Sequence, residues 1–186
     1  MVIALSGKCC SGKNYICELL RNSGFYIIDV DEISKQIFNR NIQKIIELFG
    51  TDNRTDIAKI IYSNKKKRMD LEELLHPIIY QEIDKEIIEC GSSKVIVNIP
   101  LLNNLKFIQK CSAILWINSP LLLRFYRALK RDNYSFSTVL KRIWSQKKLS
   151  TKYLKVSVDI YYIDNSWFSF GLKRSCKTAL NRLSRG

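Results

Sequence analysis

Val2-Ile3-Ala4-Leu5-Ser6-Gly7-Lys8-Cys9-Cys10-Ser11-Gly12-Lys13-Asn14 is the stretch on which the fold turns. Val2 to Leu5 form a short apolar run that reads as a buried strand entering a turn at Ser6-Gly7. From Lys13 the spacing becomes helical, with Ile16, Leu19 and Leu20 on one face and a stop near Ser23-Gly24. Between strand and helix, Gly7 to Lys13 matches G-x-x-x-x-G-K. Glycines there let backbone N–H groups curl around phosphate oxygens, the lysine reaches the β- and γ-phosphates, and the helix N-terminus adds a favourable dipole. The pattern by itself is weak, but a strand before it and a helix after it supply the context that a phosphate loop requires. Asn14 stands where Ser or Thr normally places a hydroxyl on Mg²⁺, and its amide oxygen would have to act from a longer arm.

Working outward, Phe25 to Ile28 reads as a second buried strand, ending at Asp29-Val30-Asp31. Two helical pieces follow, through Ile33, Ile37 and Phe38 and then from Ile42 to Phe49, stopping at Gly50. Helices are expected over Asp56 to Tyr62 and Leu71 to Cys90, the second interrupted by Pro77. Lys94 to Ile99 is a third strand closed by Pro100, and Ala113 to Ile117 a fourth. Asn118-Ser119-Pro120 then opens a helix to Lys130, with proline in its first turn. A helix over Phe136 to Lys148, a fifth strand over Ile160 to Ile163 and a closing helix over Leu172 to Leu183 complete the reading. Strands alternating with helices imply an α/β fold, a parallel sheet covered on both faces. The expected organisation is one domain over residues 1–186, carrying an all-helical insertion at about 32–92.

Composition narrows the functional classes. The 186 residues include 31 Lys+Arg against 17 Asp+Glu, and a net charge of +14 attracts anions such as phosphorylated metabolites. Abundant Lys, Ile and Asn, as AT-rich coding produces, account for that charge equally well. The densest run, Lys65-Lys66-Lys67-Arg68, reads as solvated surface, and no motif supports nucleic-acid binding. No apolar run approaches the ~18 residues of a membrane span, and the N-terminus lacks a secretory core. A cytoplasmic protein is expected. Six cysteines without a C-x-x-C pair, and the single His76, argue for reduced thiols and against a His/Cys metal site.

Phosphoryl transfer to an alcohol needs a carboxylate that takes or orients the hydroxyl proton, and cations over the phosphates. Asp29 and Asp31 close the second strand at the sheet edge where ligands bind in open α/β folds. Either one could instead cap the helix that follows.

With these pieces in place the sequence resembles the dephospho-coenzyme A kinase family nearly end to end. The phosphate loop is followed by Ile28-Asp29-Val30-Asp31-Glu32-Ile33, similar to the family's I-D-A-D-x-I. Phe49-Gly50, Arg54 to Tyr62, and Leu71-Glu72-Glu73-Leu74-Leu75-His76-Pro77 come next, the last matching an L-E-x-x-x-H-P stretch specific to this family among small kinases. Pro100-Leu101-Leu102 matches D-x-P-L-L, Arg127 to Asp132 matches R-x-x-x-R-D, Arg142-Ile143 with Gln146 matches R-I-x-x-Q, and Ile163-Asp164-Asn165 matches I-D-N.

The resemblance implies a three-layer P-loop NTPase fold with a five-stranded parallel sheet and a lid at about residues 119–150. It implies ATP-dependent phosphorylation of the ribose 3′-hydroxyl of dephospho-coenzyme A, with ATP and Mg²⁺ as cofactors and a monomer or homo-oligomer as the active form. By resemblance Asp31 is the base, and Lys13 with Gly7, Lys8, Cys9, Cys10, Ser11, Gly12, Asn14 and Tyr15 holds ATP. Arg127 and Arg131 lie in the lid over the phosphates, Asn165 near the adenine, and His76, Pro77 and Leu101 toward the coenzyme A moiety. Asn14 would be a weak metal ligand through Mg-ATP. Several positions depart from the family pattern: Asn14, Asn98 for the Asp of D-x-P-L-L, Asn104 where Glu is common, and Lys8 at a second glycine position. Three of these remove oxygen or carboxylate groups from the magnesium side. They keep two alternatives open: a degenerate P-loop protein that binds nucleotide or coenzyme A without efficient turnover, and another small-molecule P-loop kinase.

Overall fold

The structure is a computed structural model, and it describes residues 1–99, 105–132, 139–140, 143–144, 146, 158–166 and 169–183. Its elements run β1 (Val2–Gly7), α1 (Lys13–Arg21), β2 (Tyr26–Asp29), α2 (Val30–Arg40), α3 (Ile42–Phe49), α4 (Arg54–Ser63), α5 (Lys65–Glu89), β3 (Val95–Asn98), α6 (Leu105–Gln109), β4 (Ala113–Asn118), α7 (Leu121–Asp132), β5 (Ile160–Asp164) and α8 (Ser169–Leu183). The chain divides into two compact units, residues 1–28 with 92–186, and residues 29–91.

The first unit carries a five-stranded parallel sheet in the order β2-β3-β1-β4-β5. Its central strand β1 pairs Leu5 with Asn98 of β3 on one side and Gly7 with Ile117 of β4 on the other. Central parallel strands are covered on both faces, so they read as continuous apolar runs, and β1 and β3 are buried almost end to end. Ile3 and Leu5 of β1 join Leu115 and Ile117 of β4 in a core closed by Ile16 and Leu20 of α1 and by Leu172 and Ala179 of α8. A fully buried aliphatic side chain of this kind contributes roughly 1.5–3 kcal/mol. This packing fixes the end of β1 and the start of α1, and therefore the loop between them.

The second unit is the helical one. Ile33 and Ile37 of α2, Ile45 of α3, Ile57 of α4, and Leu75, Ile79 and Ile83 of α5 are its buried residues. Two expectations need correcting here. Helix α5 is one uninterrupted helix of 25 residues that begins at Lys65, not at Leu71, and contains Pro77. The buried stripe recurs every four residues at 75, 79 and 83, so Pro77 falls on the exposed side, where the carbonyl deprived of its N–H partner meets water. The early starts of α4 and α5 come from caps: Asn53 accepts from the Thr55 amide at 2.9 Å, and Asn64 from the Lys67 amide at 3.1 Å. The basic run is likewise not all solvated surface. Lys67 donates to the Leu48 carbonyl and lies 5.6 Å over the Phe49 ring. Helix α6 was not foreseen, and the expected helix over 136–148 lies mostly outside the described residues, although 139–140 and 143–144 are helical.

Candidate active site

The loop after β1 is shaped by two glycines whose side chains have no room. A Cβ on Gly7 would stand 2.7 Å from Ser11 Oγ and 2.8 Å from the Ile117 carbonyl oxygen. Gly12 has φ +96°, and a Cβ there would meet Asn165 Nδ2 at 2.2 Å. Cys10 adopts φ +58° without being a glycine, a conformation that costs an L-residue roughly 1–2 kcal/mol. Lys13, the first residue of α1, turns its Nζ back to donate to the Gly7 carbonyl at 3.0 Å, which lays the ammonium across the loop.

Groups distant in sequence brace this loop. Asn165, after β5 and only 4 % exposed, donates from Nδ2 to the Ser11 carbonyl at 2.7 Å. Its Oδ1 accepts from Arg127 at 3.1 Å, and Arg127 also donates to Ser119 Oγ at 3.1 Å. The Cys9 peptide is held at both ends: Arg124 Nε donates to its carbonyl at 2.8 Å, and its N–H donates to Gln146 Oε1 at 2.6 Å. Burial lowers the affinity of Arg127 for its proton, offset by the nearby Cys10 thiol. Burial does the same to Arg124, offset by Cys9 and Cys10. Lys8 is lowered by burial and then by the like charge of Arg124.

A cavity of about 640 Å³ opens beside the loop, lined among others by Lys13, Asn14, Tyr126, Arg127, Asn165 and Leu172. It combines loop N–H groups, the three cations Lys13, Arg127 and Lys130 and an apolar wall, which suits a nucleotide with a charged tail and a flat base. Lys8 is not part of this lining. It faces a second cavity with Arg124.

The remaining sequence candidates divide as follows. Asp29 is the N-cap of α2, its carboxylate accepting from the Asp31 amide at 3.0 Å, so the capping role falls to Asp29. Asp31 stands in the first turn of α2, exposed, in the helical unit. His76 is half-buried in α5 with its ring edge-on to Tyr80 at 5.9 Å, and Pro77 is exposed beside it. Arg131 lies in the last turn of α7. Leu101, with Pro100, Leu102 and Asn104, lies outside the described residues. For magnesium the available donors are oxygens, the ligand type a hard cation prefers. Asn14 is exposed at the start of α1, and Asn98, ending β3 and 3 % exposed, has an Oδ1 with no partner among the described residues. An orphaned acceptor at that strand end fits the water shell of a hydrated ion. No cluster of three or more His, Cys, Asp or Glu able to hold a metal occurs among the described residues.

Arg124 went unnoticed in the sequence, and Gln146 carried no role there beyond its motif. Arg124 follows three leucines in Leu121-Leu122-Leu123-Arg124, where an arginine reads as an exposed charge; only the fold reveals it as buried.

Comparison with known proteins agrees with this geometry. The family model for dephospho-CoA kinase matches residues 1–167. A dephospho-CoA kinase of Treponema denticola is 33 % identical over 193 aligned positions, covering 94 % of this chain and 86 % of that protein. One from Legionella pneumophila (strain Paris) is 31 % identical and covers 81 % of this chain and 80 % of its own length. Among solved structures, a Thermus thermophilus protein superposes with a TM-score of 0.84 at 24 % identity, covering 98 % of this chain and 97 % of that one. The dephospho-CoA kinase from Campylobacter jejuni gives 0.68 at 21 % identity, covering 100 % and 98 %. A shikimate kinase from Bacteroides thetaiotaomicron shares the fold with a TM-score of 0.57 at 13 % identity, covering 99 % of this chain and 98 % of that one.

Proposed function

The chain belongs to the dephospho-CoA kinase family, and we propose that its phosphate loop, Lys13 and Asp31 carry out that family's reaction between them. The enzyme transfers the γ-phosphoryl group of ATP to the 3′-hydroxyl of dephospho-coenzyme A, the last step of coenzyme A synthesis. Loop N–H groups from Lys8 to Asn14 receive the phosphate oxygens, and Lys13 leaves the Gly7 carbonyl to follow the β- and γ-phosphates. Arg127 and Arg131 neutralise charge that develops on the transferred group. Asn165 borders the adenine. Asp31 accepts the proton of the 3′-hydroxyl as its oxygen attacks phosphorus, and His76, Pro77 and Leu101 contribute to the coenzyme A side. Asn14 and Asn98 are the residues that would hold Mg²⁺, which would supply charge neutralisation at the ATP phosphates.

The observation that carries this reading is the braced loop, with Lys13 laid across it and Asn165 and Arg124 fixing its backbone. A pair of variants tests the division of labour. Lys13→Ala raises the KM for ATP and lowers kcat together. Asp31→Asn leaves the affinity for ATP nearly intact and lowers kcat by roughly 10²-fold or more, the scale of a positioned base. Equal loss of ATP affinity in both variants would make Asp31 a metal or structural residue instead.

A further inference from the structure

We infer that the cavity lined by Lys8 and Arg124 is a second anion site, separate from the nucleotide pocket, which takes a phosphate group carried on a flat apolar body. The cavity encloses about 560 Å³, and its other linings include Asn118, Trp116, Trp144 and Asp164. It shares no lining residue with the nucleotide pocket. Helix geometry explains why. Leu121 and Arg124 lie one turn apart on one side of α7, whereas Tyr126 and Lys130, four residues apart, look toward the nucleotide from the other.

Arg124 is the observation that points to a ligand. It is 4 % exposed, its Nε is occupied by the Cys9 carbonyl, and its second terminal nitrogen (Nη2) has no hydrogen-bond partner among the described residues. A buried guanidinium is ordinarily paired, because desolvating the charge costs several kcal/mol. No carboxylate pairs with Arg124 or Lys8 among the described residues. Instead Lys8 brings a second cation to the same cavity, where burial and then the like charge of Arg124 lower its proton affinity. An anion between them would remove both costs at once. Phosphate suits the site because it can accept from a guanidinium and an ammonium together. Asp164, exposed at the cavity lining, opposes any anion, so charge alone gives modest affinity. The indoles of Trp116 and Trp144 supply the remainder by packing against an apolar ring.

Two of the three tryptophans line the cavity, so intrinsic fluorescence reports its occupancy. The full chain carrying Trp167→Phe is titrated with phenyl phosphate, and separately with inorganic phosphate, while a non-hydrolysable ATP analogue with Mg²⁺ saturates the nucleotide pocket. Phenyl phosphate gives a saturable change that persists with the analogue bound. Arg124→Gln weakens it about tenfold or more, in line with the loss of a charge-assisted contact. Trp144→Ala, read through Trp116, weakens phenyl phosphate several-fold while leaving inorganic phosphate unchanged. Should Arg124→Gln lower the melting temperature through its bond to the loop, Lys8→Ser carries the same expected weakening. Three results would overturn the inference: no saturable change, equal binding by both cation variants, or displacement of phenyl phosphate by the ATP analogue. Displacement would make the two cations part of the nucleotide's own seat, and binding of the analogue by the Trp144→Ala protein shows that its loss of phenyl phosphate does not come from a disturbed kinase site.

Discussion

Asn14 follows Lys13 at the start of α1, and its amide stands where a phosphate loop normally places a Ser or Thr hydroxyl on magnesium. Asn98 likewise offers an amide where a carboxylate would hold the ion's water shell. The Asn98 amide lowers the local negative charge and the Asn14 amide carries its oxygen on a longer arm, so on the proposed reading magnesium is held chiefly by the ATP phosphates. The half-maximal Mg²⁺ concentration for turnover is accordingly high. Asn14→Ser lowers it, and Asn98→Asp lowers it further if both residues serve one ion. A titration of Asn14→Ser that overlays wild type would remove this account. Thiols give a second residue-level prediction. Burial pushes the Cys111 thiol up to about 12 and raises Cys176 as well. A raised folded-state value means that the native state holds the proton more tightly than the unfolded chain, whose thiol titrates near 8.5. The stability from that difference is complete below about pH 8.5 and is lost as pH rises toward 12. Urea midpoints of Cys111→Ala therefore fall less steeply than wild type across that window. Parallel slopes would show that Cys111 does not contribute to alkaline unfolding. Legibility at this scale was uneven. Lys13, Gly7 and Gly12 announce themselves by spacing, but that Asp29 caps α2 needed the observed bond, and Arg124 needed its burial.

Among the elements, the strands were readable because central parallel strands are apolar on both faces, as β1, β3 and β4 are. The helices α4 and α5 were harder. Their first turns are polar, Arg54-Thr55 and Lys65 to Arg68, so hydrophobic periodicity starts late, while the helices begin at the caps Asn53 and Asn64. Pro77 misled the reading in a different way. Proline inside a helix usually ends or kinks it, yet α5 continues because the buried stripe runs along the opposite side. That arrangement still leaves a missing backbone hydrogen bond, so Pro77→Ala raises stability by roughly 1–3 kcal/mol, read from a denaturant midpoint. If His76-Pro77 contributes to the acceptor side, the same variant raises the KM for dephospho-coenzyme A and leaves that for ATP unchanged. A more stable variant with both constants unaltered would confine Pro77 to a structural role.

For the whole molecule, the two units divide the proposed work. The sheet unit holds the loop, Lys13, Arg127 and Asn165, and the helical unit holds Asp31, His76 and Pro77. The run of helices from α2 to α5 was visible in the sequence as a long stretch without strand patterning, and the family match covers both units. Charge was less informative. A net +14 suits anionic substrates, but it did not reveal that Lys8 and Arg124 converge on a cavity of their own. The measurement that bears most directly on the central claim is transfer of label from γ-³²P-ATP to dephospho-coenzyme A, by purified protein with Mg²⁺, with the product identified by its 3′-phosphate. The account predicts labelled coenzyme A, formed by wild type and reduced roughly 10²-fold or more in Asp31→Asn. A folded protein that binds ATP yet transfers no label, or that labels another position, would contradict it.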